Sequence, residues 1–117
     1  MFRDFSPWKT ALVDISVSST VSEEVDLEGI YANLLVLVPT ITSSTVSVQV
    51  SMTSGGTFIA LYRLDDDATG DFADATTAAT TTKAVVFRIG GAQHIKILCG
   101  STQTSSDKTF YVRGFND

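Results

Sequence analysis

The sequence predicts an all-β protein, an antiparallel β-sandwich of about eight strands with jelly-roll or immunoglobulin-like connectivity. Three observations carry that prediction. Apolar residues recur at every second position through most of the chain, the period of a half-buried strand. The segments marked this way are spaced roughly ten residues apart, with turn-forming residues between them. Ser and Thr make up about a quarter of the chain against ordinary composition, and branched Thr, Val and Ile suit a pleated surface. The 117 residues fit a single domain. The chain reads as an N-terminal aromatic arm over residues 1–9 and one sandwich domain over 10–117.

The elements follow in order. In "ALVDISVS" Ala11, Val13, Ile15 and Val17 point one way, with Asp14 and Ser16 opposite. "SEEVDLEG" is a short acidic strand with Val25 and Leu27 inward. "ANLLVLVP" is apolar on both faces, which predicts a central strand packed on two sides and stopped by Pro39. "TVSVQVSM" places Val46, Val48, Val50 and Met52 inward. The glycines of "TSGGT" supply a tight turn, and "FIALYRL" returns as the partner strand. "KAVVFRIG", "HIKILCG" and "TFYVRGF" complete the set, joined by the turn-rich "GGAQ" and "GSTQTSSDK".

Two regions depart from this pattern. From Asp65 to Thr82 the alternation fails in an Ala- and Thr-rich stretch. It reads as a long, mobile loop or an edge hairpin, with a short helical turn near Asp71 to Ala75. At the N-terminus, Phe2, Phe5 and Trp8 lie three apart, so one helical turn would gather them on one face. They either cap this domain's own core or dock on a neighbouring subunit, where aromatics make good anchors.

Charge and composition exclude several functions. A formal net charge of -5 and scattered basic residues do not suit a nucleic-acid binder, which clusters Lys and Arg against phosphates. The longest apolar run, "LLVLV", is strand length and too short to span a bilayer. "MFRDFSPWKT" lacks the apolar region of a secretory signal, so synthesis in the cytoplasm is expected.

Catalysis finds no support. Cys99, the single cysteine, shares a strand face with Ile95 and Ile97 and reads as a small buried residue. His94, the single histidine, opens a strand and reads as half-exposed; no serine sits in a nucleophile elbow. Glu24, Asp26 and Glu28 alternate outward as a solvated face that protects an edge strand. "LDDDATGDFAD" begins like a calcium loop, with Asp65, Asp67, Thr69 and Gly70 at the right offsets. It then fails, with Ala73 at the ninth position and Thr76 where a bidentate Glu belongs. Neither a metal nor a cofactor is expected, and the chain is not read as an enzyme.

The order of features from Val25 to Phe115 resembles small β-sandwich structural proteins of tailed-bacteriophage virions. The residues that carry the likeness are "VDLEGIYANLLVLVPTITSSTVSVQVSMTSGGTFIALY" and "HIKILCGSTQTSSDKTFYVRGF". Thr53-Ser54-Gly55 stands where that pattern has Asp-Gly, and the later strand lacks its tryptophan. The resemblance implies a virion component of the capsid-decoration (head-auxiliary, cement) type. Its partner would be the major capsid protein or other virion proteins, with a homo-oligomer, in such proteins often a trimer, expected. An acidic surface could meet basic patches on capsid subunits. Candidate contact residues are Phe2, Phe5 and Trp8 in the arm and Asp65, Asp67 and Asp71 in the acidic stretch. Two other readings stand beside it. One is a carbohydrate- or receptor-binding module of a tail fibre, which would align Tyr31, Tyr62 and Tyr111 on an exposed face. The other is a neck or tail component, which would form rings.

Overall fold

The computed structural model describes residues 4–42, 44–63, 71–72, 74–77 and 82–116. Its strands are β1 (Lys9–Val13), β2 (Val25–Asp26), β3 (Asn33–Val38), β4 (Ser44–Ser51), β5 (Ile59–Ala60), β6 (Tyr62–Arg63), β7 (Asp71–Phe72), β8 (Asp74–Thr77), β9 (Lys83–Arg88), β10 (His94–Cys99) and β11 (Lys108–Phe115). Each of the eight expected strand segments is present. All the pairings are antiparallel.

The first sheet runs β1-β11-β3-β9 and the second β2-β10-β4-β5, with β8 also paired to β4. β5 pairs with Gln49 and Val50, and β8 with Ser44 to Ser47, so the two follow one another along successive stretches of β4. Each sheet is therefore four positions wide. Between β5 and β8 the chain leaves the sheet through the small β6–β7 pair.

This order identifies a jelly roll. Taking β5 and β8 as one position, the chain pairs first with last (β1–β11), second with seventh (β2–β10), third with sixth (β3–β9) and fourth with fifth. One long antiparallel ribbon has been rolled so that, on either side of the β4–β5 turn, successive strands alternate between the sheets. An immunoglobulin-like sandwich would keep consecutive strands such as A and B in one sheet.

The core lies between the sheets. Ala11, Val13, Leu34, Val36, Phe110 and Val112 face Val46, Val48, Ile95, Ile97 and Cys99, all buried. Each occupies the inward parity of its strand. Gly114 is inward as well, and a Cβ there would lie 2.6 Å from Cδ2 of buried Tyr31. In the β4–β5 turn, Gly55 takes a φ of 69° and Gly56 packs where a Cβ would strike Thr53 Oγ1.

Four expectations are corrected. β1 stops at Val13 because Asp14 turns the chain: its carboxylate accepts from the Ser16 N–H and hydroxyl, and its carbonyl from the Val17 and Ser18 N–H groups. Val17 is consequently 80% exposed. Met52 lies past the end of β4 in the turn and is 96% exposed. The stretch expected to hold a helical turn near Asp71 to Ala75 forms β7 and β8 instead, the edge-hairpin alternative. At the N-terminus Phe5 is in an antiparallel bridge with Phe115 rather than in a helical turn.

Candidate protein-interaction surface

The two sheets present different outer faces. On the second sheet, outward parity falls on Thr45, Ser47 and Gln49 of β4 and on His94, Lys96 and Leu98 of β10. That face is largely polar, as expected for the solvated side of an antiparallel sheet. On the first sheet most of the outward positions are apolar or aromatic. Register sets Thr10, Tyr111, Leu37 and Ala84 in one row across the four strands, and Arg113, Leu35 and Val86 in the next. Tyr111 is 49% exposed and Val86 55%. β3 is thus the two-sided apolar strand that "NLLVLV" predicts, but one of its sides faces outward, where Leu37 is exposed.

The segment before β1 extends this face. Ser6 is fully buried and bonded to Gly114 twice: its N–H donates to the Gly114 carbonyl at 2.8 Å, and its hydroxyl accepts from the Gly114 N–H at 3.0 Å. The Asn116 N–H donates to the Asp4 carbonyl at 2.7 Å. Residues 4–8 therefore lie along the end of β11. Fixed there, Phe5 and Trp8 sit beside Arg113, whose guanidinium lies 4.7 Å and 4.5 Å from their ring centroids. Neither ring caps the core; Phe5 remains 52% exposed. The structure brings together two of the aromatics that the sequence singles out. Phe2, Asp65 and Asp67 lie outside the described residues, and Asp71 is the backbone register partner of Arg63 across β6–β7.

Sequence reasoning missed Arg113, Leu35, Leu37 and Val86. A signal was present: "FYVRGF" alternates Tyr111 and Arg113 opposite the buried Val112, and "NLLVLV" has two apolar faces. Strands β1, β3, β9 and β11 also contain no Asp or Glu at all. Aromatic residues and arginine with depleted carboxylates are the composition of a protein–protein contact core.

The carboxylates around β2 have structural partners. Glu24 accepts from the Ser54 hydroxyl at 2.6 Å and the Gly55 N–H at 2.7 Å, which hold its carboxyl below the ordinary range. Asp26 accepts from the Gln93 amide and the Glu28 N–H, with the same effect on its pKa. Glu28 pairs with Lys9. The acidic alternation thus ties neighbouring loops to the β2 edge, a more specific task than facing solvent. His94 is buried rather than half-exposed, with Nδ1 3.7 Å from Glu24 Oε2. Ser51 is its register partner, but the Ser51 hydroxyl donates to the Thr53 carbonyl and accepts from the Thr53 N–H. That serine is spent on the turn. Cys99 is buried on the opposite strand face from His94, and burial pushes its thiol up to about 11, away from the thiolate a nucleophile needs. Among the described residues no three His, Cys, Asp or Glu side chains come together to hold a metal, and no helix is long and apolar enough to cross a membrane.

No family model and no curated protein matches the chain. Among solved structures, it is similar to the crystal structure of SPBc2 prophage-derived protein YomS. The identity is 17%, the TM-score 0.48, and the match covers 93% of this chain and 95% of that one.

Proposed function

We propose that this protein is a structural component of a bacteriophage particle, of the capsid-decoration type. It would bind the shell through the outer face of its first sheet. The observation that carries this reading is the row Tyr111–Leu37–Ala84 beside Arg113–Leu35–Val86, an apolar face on a chain whose core is complete without it. A solvated antiparallel sheet normally carries polar side chains there. A contiguous exposed apolar patch marks a binding surface. The resemblance from Val25 to Phe115 points the same way, and the jelly roll is a fold that capsid domains use.

A glycan platform is the less favoured reading. It requires aligned exposed tyrosines, and Tyr31 is buried at 5% exposure beneath Gly114. Phe5 and Trp8 are engaged with Arg113. Cryo-electron microscopy of particles made by the phage that encodes this chain tests the proposal. Density for the sandwich on the capsid exterior is expected. Particles that lack the protein, or carry it on a tail fibre, would overturn the reading.

A further inference from the structure

The charge on the apolar face identifies its occupant. Arg113 and Arg88 both occupy outward positions of the first sheet, in β11 and β9. The four strands of that sheet contribute none of the chain's 13 acidic residues. Arg113 lies over Phe5 and Trp8, which fix its position, and among the described residues its buried Nε has no hydrogen-bond partner. A guanidinium keeps its charge at any physiological pH and presents donors with a geometry that matches a carboxylate.

A second copy packed face to face is a poor occupant. A two-fold contact repeats the same patch on both sides, so it would set Arg113 and Arg88 against four strands that carry no acid. Enclosing those charges unpaired is strongly unfavourable. We propose that the occupant is an apolar surface of a different protein that carries a carboxylate, and that Arg113 is the anchor that binds it. This rests on the reading of the chain as a shell-binding protein and supplies the chemistry of the partner. It also reverses the polarity expected from net charge. The acidic chain makes its contact through a basic, apolar sheet whose four strands carry none of its acidic residues.

Co-sedimentation with purified empty shells of the encoding phage tests this, using wild type, Arg113→Gln, Arg113→Lys and Arg88→Gln, each checked for folding by circular dichroism. Wild type should bind, less tightly as salt rises. Arg113→Gln should bind about tenfold more weakly or worse, since removing one partner of an enclosed charge pair is costly. Arg113→Lys should retain part of the affinity, and Arg88→Gln, on an exposed side chain, should lose less. If Arg113→Gln does not fold, salt dependence together with Arg113→Lys and Arg88→Gln decides the matter. Wild-type binding that is indifferent to salt and to every arginine substitution would overturn the anchor while leaving the shell-binding reading intact. Failure of wild type to bind would overturn both. In sedimentation velocity without shells, a self-association abolished by Leu37→Asp would show that a second copy occupies the face, and would overturn the proposal too.

Discussion

The guanidinium of Arg113 lies over the indole of Trp8, its central carbon 4.5 Å from the ring centroid. The chain has one tryptophan, so its fluorescence reports on the surroundings of Trp8. A cation–π contact at a partly exposed site contributes about 0.5–1 kcal/mol. Arg113→Gln should therefore lower stability by roughly that amount and change the tryptophan emission of the folded protein. An emission spectrum identical to wild type would show that the two side chains are not stacked in solution.

Gly114 packs directly against the buried ring of Tyr31. A Cβ at position 114 would lie 2.6 Å from Cδ2 and 2.7 Å from Cγ of the Tyr31 ring. The ring is buried, and β11 is held on both sides by β1 and β3. Gly114→Ala should cost about 1–3 kcal/mol, the usual range for overpacking. Urea unfolding measures it, and a midpoint unchanged from wild type would contradict the packing described.

These two cases show how far the sequence was legible. Strand alternation is legible because each strand obeys a local period of two, which marks the eight segments from "ALVDISVS" to "TFYVRGF". Connectivity was not readable: the pairing of β1 with β11 joins residues about a hundred positions apart, and no local pattern encodes it. Strand ends were misplaced where a side chain overrode the period, as Asp14 does by capping the turn that exposes Val17. The candidate surface was half visible. Phe5 and Trp8 stood out by composition, whereas Arg113 acquires its role through a neighbour more than a hundred residues away. Gln103 was invisible for the same reason: it is buried, and its amide bonds the Thr42 N–H and carbonyl.

Glu24 gives the fold an acid-sensitive fastening. The Ser54 hydroxyl and then the Gly55 N–H hold its carboxyl below the ordinary value. Folding therefore favours the carboxylate. Its contribution is present above the unfolded pKa of about 4.3 and is lost as pH falls through the lower folded value. Wild type should exceed Glu24→Gln in urea midpoint at neutral pH, and the gap should close as pH drops below about 4. A gap that stays constant down to the acid limit would rule out this source of stability.

Cys99 should be inert in the native state. It is buried, and burial raises its pKa to about 11, so little thiolate exists near neutrality. A disulfide-exchange reagent should label it slowly in buffer and rapidly in denaturing urea. Complete labelling of folded protein within the mixing time would contradict its place in the core.

The central claim is that the outer face of the first sheet, rather than that of the second, meets the shell. Leu37→Asp puts a charge into the middle of the first face, and Gln49→Asp puts the same charge on the outer face of the second. Co-sedimentation of both variants with purified empty shells tests the claim most directly. The expected result is that Leu37→Asp stays in the supernatant while Gln49→Asp pellets with the shells like wild type. Retained binding by Leu37→Asp together with loss by Gln49→Asp would contradict it.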